Sequence, residues 1–579
     1  MPDTDRAELI SLFSDDIFDP PGDITNRERM MLTYRRMAYI NGRLAASMPL
    51  LHHPDLLRDL LELSAMVDPP LFHVLFLHHC LATGAVLDYT ADLPGQGDGF
   101  GTILLTELGL GNTNGGGDLH TRVVYDPAED DFVLTTPSPD ATKFPPNVGL
   151  DGVAKWGVLG ARLIVAGADC GAFGFLVQIR DENGPRPGVH IKPLPPTSLL
   201  PVDYACVQFD HVRLPRRQWL RDSASISADG IFHDAHDGLT RMLRAASLGR
   251  FAWGANCVGL AGAARASVAV TIPHAYHRLS TSRSGDVVPV IHFRNQQRLL
   301  LTALAAALAA TALARSTSAE CWRLPAANDG PPALTPAFMR TASVTKVAVD
   351  LLAERAASRA RASCGALGFF SVNHLIDYEG LALAYKSAGG DNQMTLLNSA
   401  WTMAQDIDYE APASKPAGQA GVGRLDELDS LIGLLRDRER LLHQHLQERM
   451  RAGAADPFTA WNAQIALAQE LAEAHLARLT AEAFAAWADR ETDSKLHPHL
   501  RRLCELLILE EIADHSGWYL VENLLGPADV TSLPDLLDSR CDQLFPHLRE
   551  LVSLLDVPLE ILRAPLATDD YMAAFTPAP

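Results

Sequence analysis

The eight cysteines of this 579-residue chain are scattered, and none stands in a C-x-x-C pair. That scatter argues against a zinc site and against a disulfide framework. Aromatic residues are few, at 7%. Basic charge is in deficit: the formal net charge is −21, which excludes a nucleic-acid partner or an anionic membrane surface as a natural reading. The first nineteen residues lack a basic segment followed by an apolar run, so a secretory signal is not expected and a cytoplasmic location is. No long uncharged run suggests a membrane span; residues 299–314 make sixteen uncharged, alanine-rich positions, too short to cross a bilayer. They read as a buried helix bracketed by Arg298 and Arg315.

What is present is a globular composition, 47% apolar and 21% charged, over a length that fits several domains. Residues 1–98 read as helical, with Leu56, Leu57, Leu60, Leu61 and Leu63, then Leu71, Val74, Leu75 and Leu77, at helical spacing. Pro69-Pro70 separates two helices. Residues 99–220 read as a β domain. Strand-like runs at 122–125 and 132–134 flank an acidic turn, and others follow at 161–165, 173–179, 189–192 and 204–209. From 221 to 408 the chain reads as a helical bundle, with an unbroken helix over 242–270. Loops rich in Pro, Ala and Gly are expected at 323–337 and 411–424, the second a linker into a last helical domain, 425–579, with amphipathic stretches at 425–451 and 461–487.

Thr106-Glu107-Leu108-Gly109-Leu110-Gly111-Asn112 opens the β region. Its two glycines let backbone N–H groups approach a planar or anionic ligand, although glycine serves a turn as readily. The junction between a helical and a β segment favours a pocket. Further on stand Tyr125-Asp126-Pro127, Thr136-Pro137, Lys143-Phe144-Pro145-Pro146, Phe175-Leu176-Val177-Gln178-Ile179-Arg180-Asp181 and Phe209-Asp210-His211-Val212-Arg213-Leu214-Pro215. Cys364-Gly365-Ala366-Leu367-Gly368-Phe369 and Gly389-Gly390-Asp391-Asn392 follow.

In this order the motifs resemble those of the acyl-CoA oxidase and acyl-CoA dehydrogenase family. The resemblance implies a mainly α fold with a central β domain: an N-terminal helical domain, a β-barrel-like domain, a helical bundle and an additional C-terminal helical domain. It implies a flavoprotein oxidoreductase holding FAD, a substrate linked as a thioester to CoA or a carrier protein, and a homodimer. Thr106, with Gly109 and Gly111, would meet the flavin ring, and the loop containing Lys143, Asn147 and Gly149 would cover one of its faces. The regions of Gly365 and Asn392 would contact the nucleotide end, and Gln296 matches the first residue of a family Q-Q pair. The family's arginine falls on Arg278 or Arg283, with Arg278 preferred.

The departures from the family are specific. Leu110 stands for a histidine, Lys143-Phe144-Pro145-Pro146-Asn147-Val148-Gly149 for K-W-W-P-G-G, and Ala366 for a glycine. The family's base, a glutamate, falls on Gly389, 25 positions after Cys364. Its alternative place in some relatives falls on Gly249. Asp391 is the candidate replacement base, weighed against a plain turn role, and Glu379 reads as a helix-surface carboxylate. The vacancy leads to three expectations: an atypical oxidase or dehydrogenase of specialised metabolism, with room beside Gly389 for a larger or branched substrate; oxidation of an amine or N–N bond; or a non-catalytic scaffold. Histidines 73, 78, 79, 274 and 277 read as core or surface residues. No metal ligand set is expected.

Overall fold

The computed structural model describes residues 6–44, 49–89, 99–110, 119–236, 244, 247–324, 331–332, 334–413, 425–453, 456–493 and 495–576. Residues 414–424 of the linker expected at 411–424 and much of the loop expected at 323–337 lie outside them, as does the start of the helix expected from 242. The chain forms two compact units, residues 1–255 with 319–334 and residues 256–318 with 335–579.

The first unit combines helices and sheet. Asn26–Arg43 starts with a capping box between Thr25 and Glu28. Pro54–Val67 and Pro69–Leu75 are separate helices, with Pro69 and Pro70 in the first turn of the second, where no intrahelical N–H is needed. Asp68 at their junction is buried and takes Arg36 at 2.6 Å and Arg29 at 2.9 Å. The chain continues through a π-helical segment, Phe76–Ala82, into Thr83–Tyr89.

The expected strands appear as β1 (Phe100–Leu104), β2 (Arg122–Asp126), β3 (Asp131–Thr135), β4 (Lys155–Val165), β5 (Ala168–Arg180), β6 (Val189–Pro193), β7 (Ala205–Phe209), β8 (Val212–Pro215) and β9 (Trp219–Leu220). Seven of them form one sheet in the order β8-β3-β2-β4-β5-β9, with β1 also against β4; β6 and β7 pair separately. Strand β4 is long enough to hold β1 along one half and β2 along the other, both parallel. It turns into β5 through Ala166 and Gly167, both at positive φ (50° and 82°), the backbone of a tight hairpin. Leu104, Val123, Phe132, Leu159, Phe175 and Trp219 fill the core.

The second unit is helical. Its main elements include Pro336–Ser363, Leu375–Tyr385, Asn392–Ala404, Leu428–Arg451, Ile465–Asp489, His497–Asp514 and Pro527–Leu544. The uncharged run lies in the helix Arg294–Cys321, with Leu300, Leu301, Leu304 and Leu308 buried. Three helices among the described residues are long and apolar enough to cross a membrane, but 83–100% of each apolar window is packed inside protein. The stretch expected at 461–487 is broken: Pro457–Asn462, capped by Asp456, ends before Ile465–Asp489 begins. Leu428–Arg451 buries Glu439, which takes His475 at 2.8 Å and Arg478 at 2.5 Å. Those partners overcome burial and hold its carboxyl down at about 2.

Candidate functional site

In the first unit the 106–110 segment lies against the start of the 143–149 loop. Phe144 N–H donates to Thr106 O, and Leu108 N–H to Thr142 O. Gly109 fits so closely to Asp140 that a Cβ would fall 2.6 Å from the Asp140 Cα, and its N–H donates to Asp140 O. Here the glycine serves close backbone approach. Thr106 is exposed. Gly111 lies outside the described residues.

Lys143 corrects its expected role. Its ammonium is fully buried and donates to Glu107 Oε1 at 2.9 Å and to Leu105 O at 3.0 Å. Its backbone pairs in both directions with Val207. Burial lowers the ammonium to about 8 despite Glu107. Glu107 also accepts from Thr121 Oγ1 at 2.6 Å and from the N–H groups of His120 and Thr121. Lys143 therefore ties the segment together from inside and offers nothing to a cofactor. A charged side chain on a strand-like loop gave no sequence sign of whether it faced in or out.

Asn147 and Gly149 belong to a second internal anchor. Asp203 accepts from Tyr34 OH at 2.7 Å, from Leu150 N–H at 3.0 Å, and from Lys155 Nζ at 3.4 Å. Lys155 also donates to Asn147 O at 2.8 Å. A Cβ on Gly149 would fall 2.7 Å from Tyr204 O. The buried Oδ1 of Asn147 has no hydrogen-bond partner among the described residues.

In the second unit two expected residues come together. Arg278 Nη1 donates to Cys364 O at 2.8 Å, and Gly365, at φ +61°, lies so close that a Cβ would fall 3.1 Å from the same nitrogen. The guanidinium thus lies along a bare stretch of backbone, a cradle suited to an anion. Arg278 and not Arg283 is the arginine next to the Cys364–Phe369 motif. Gln296, in the helix Arg294–Cys321, carries a buried Oε1 with no partner among the described residues. These features fit the nucleotide end of a dinucleotide cofactor.

Asn392 is a second correction. Its Oδ1 accepts from Lys346 Nζ at 2.9 Å and its Nδ2 donates to Asp350 Oδ2 at 2.7 Å, so its carboxamide is spent inside the protein. Lys346 also donates to Tyr385 O and, at 2.8 Å, to Gly390 O. Burial lowers Lys346 to about 8 and raises Asp350 to about 6. Asp391 caps the helix Asn392–Ala404, accepting from Met394 N–H at 3.1 Å, the turn role weighed beside the base role. Glu379 pairs with Arg361.

The expected space at the base position is filled. Gly389 sits at φ +67°, and a Cβ there would overlap Asn256 Nδ2 and lie 3.1 Å from its Cγ. Asn256, in the helix Gly249–His277, is fully buried, and neither amide atom has a hydrogen-bond partner among the described residues. At Gly249 a Cβ would lie 3.1 Å from the Trp253 ring. Neither glycine leaves added room. Sequence reading missed Asn256, Lys346 and Asp350, and no motif marks any of the three.

The histidines behave as structural groups. His78 Nδ1 accepts from Gly101 N–H at 2.8 Å, and burial lowers the ring to about 4. His274 is buried edge-on to Tyr571 and is also lowered to about 4, chiefly by burial.

Two family models match the chain: "Acyl-CoA oxidase, C-alpha1 domain" over residues 258–403 and "Acyl-CoA oxidase" over 434–570. A putative peroxisomal acyl-coenzyme A oxidase 1.2 of Arabidopsis thaliana is 24% identical over 506 residues, covering 81% of this chain and 74% of that protein. Peroxisomal acyl-coenzyme A oxidase 2 of Oryctolagus cuniculus is 27% identical over 485 residues, covering 75% and 68%. Among solved structures, acyl-CoA oxidase1 from Yarrowia lipolytica superposes with a TM-score of 0.82 at 20% identity, covering 99% of this chain and 91% of that one. Acyl-CoA oxidase-2 of Caenorhabditis elegans, bound with FAD, ascaroside-CoA and ATP, gives 0.83 at 20% identity, covering 98% and 89%. At these identities the likeness to solved structures establishes the fold.

Proposed function

Because the chain belongs to the acyl-CoA oxidase family, we propose that it is an FAD-dependent oxidoreductase acting on a CoA- or carrier-linked acyl substrate without a carboxylate base at position 389. The observation that carries this reading is the filled position: Gly389 backed by the Asn256 carboxamide. In the helical unit Arg278, Gly365 and Gln296 would hold the anionic nucleotide end. In the sheet-bearing unit the exposed Thr106 and the adjacent Gly109 would meet the flavin ring. Bound FAD supplies a two-electron acceptor for hydride.

Ordinary desaturation needs a base at the α-carbon, where a positioned carboxylate takes the proton. A carboxamide can hydrogen-bond but cannot take a carbon-bound proton. Straight-chain acyl-CoA is therefore a poor substrate, and the favoured class carries a more acidic proton or loses hydride without prior deprotonation. Homodimerisation is supported by Phe369, Phe370 and Phe575, large apolar side chains that lie exposed in the helical unit.

The test of the flavin reading is the absorption spectrum of the purified protein before and after incubation with FAD. A bound-flavin spectrum supports it, and a colourless protein that takes up no FAD overturns it. A scaffold without turnover is the second reading, favoured by the same filled position; reduction of bound flavin by any substrate excludes it.

A further inference from the structure

Two elements meet at the Arg278–Gly365 cradle: the end of the helix Gly249–His277 and the turns that follow Ser363. They are far apart in the chain, and residues 565–576 touch both. On one side Tyr571 packs edge-on against His274, with ring centroids 4.6 Å apart, and Asp569 Oδ1 lies 3.7 Å from His277 Nε2. His274 stands one turn before Arg278, whose N–H donates to its carbonyl at 2.8 Å. On the other side Leu566 N–H donates to Asn373 Oδ1 at 3.3 Å, and Asn373 Nδ2 donates to Leu367 O at 3.0 Å. Phe575 lies against Phe370, with centroids 5.7 Å apart. Burial falls along the segment: Leu566 is fully buried, Tyr571 half-buried, and Met572 and Phe575 exposed. A strip seated at one end, with few buried contacts beyond it, belongs to the parts of a protein that open at small cost.

From this we infer that residues 565–576 form a strap that holds the two walls of the cradle together, so that the docked strap and bound FAD stabilise each other. The inference rests on the assignment of Arg278 and Gly365 to the nucleotide end of the cofactor. Tyr571 is a positioning residue: it touches His274 and acts on Arg278 through the helix end. Burial holds the His274 ring at about 4, so it adds no charge beside Arg278 near neutral pH. The coupling is reciprocal. If docking the strap raises FAD affinity by some factor, bound FAD favours the docked strap by the same factor.

The experiment measures FAD affinity by flavin fluorescence and the rate of chymotryptic cleavage after Tyr571, with the oligomeric state followed by sedimentation. Tyr571→Ala is expected to weaken FAD binding at least about threefold, the scale of one aromatic contact. Tyr571→Phe keeps the ring and binds FAD as wild type does. In wild type, saturating FAD slows the cleavage at least about threefold, because only the undocked strap is cut. Unchanged or tighter binding in Tyr571→Ala, an equal fall in Tyr571→Phe, or a fall that only accompanies dissociation into protomers overturns the inference and leaves the cofactor reading intact. A wild type that takes up no FAD overturns both. If Tyr571→Ala does not fold, wild-type cleavage decides, and equal rates with and without FAD overturn the inference.

Discussion

The carboxamide of Asn256 stands where a side chain at residue 389 would begin, with Cγ 3.1 Å from the ideal Cβ position. The missing glutamate has therefore not left a hole, and the two positions form one packing unit.

That relationship predicts non-additive stability. Gly389→Glu alone meets Asn256 and forces a side chain into φ +67°. Overpacking and left-handed strain together cost roughly 2–5 kcal/mol. Asn256→Ala removes the overlap, so the double variant Asn256→Ala/Gly389→Glu is more stable than the single Gly389→Glu. Urea denaturation of the four proteins of the cycle measures the coupling. Strict additivity would mean that the two residues do not compete for space.

The Glu107–Lys143 pair predicts a large cost on removing either charge. Glu107→Gln leaves a buried ammonium facing a neutral amide, and breaking such a pair costs about 3–5 kcal/mol. Thermal or urea unfolding reads it directly; a change below about 1 kcal/mol, the scale of an exposed pair, would show that the site is solvated.

Asp350 predicts a pH signature. Its carboxyl is raised to about 6, first by burial, from the ordinary aspartate value of 3.8. Between those values the folded protein holds a proton that the unfolded chain has released. Its contribution is thus fully present below about pH 4 and is lost as pH rises through about 6. A shift of this size amounts to on the order of 3 kcal/mol. The stability difference between wild type and Asp350→Asn should change across that window, with wild type losing ground as pH rises. A flat difference would contradict the buried, protonatable setting.

Arg278 predicts a loss of cofactor without loss of fold. Arg278→Met removes a guanidinium lying beside Gly365, and flavin affinity measured by fluorescence should fall at least about tenfold, the scale of a charge-assisted hydrogen bond. Arg278→Lys should fall less, and Arg283→Met should leave affinity unchanged.

Much of the fold was legible because it is written locally. The β2–β3 hairpin showed in two apolar runs around an acidic turn, and the proline pair marked a helix start. Of the long β4–β5 pair only parts showed, as strand-like runs at 161–165 and 173–179, short of the strands' true starts at Lys155 and Ala168. The site was half legible. Motif order led to Arg278 and Gly365, which the fold brings together. It also led to Lys143 and Asn392, whose side chains turn inward, because strand and turn spacing do not say whether a polar side chain faces ligand or core. Asn256 was not legible at all. Its meaning depends on Gly389, distant in sequence, and a single amide in an apolar helix carries no motif.

The most direct test of the account is flavin absorbance on anaerobic mixing of the FAD-loaded protein with decanoyl-CoA. The account predicts no bleaching in wild type and bleaching in Asn256→Ala/Gly389→Glu, where a carboxylate has both its place and its space. Rapid bleaching of the wild type by decanoyl-CoA would contradict it.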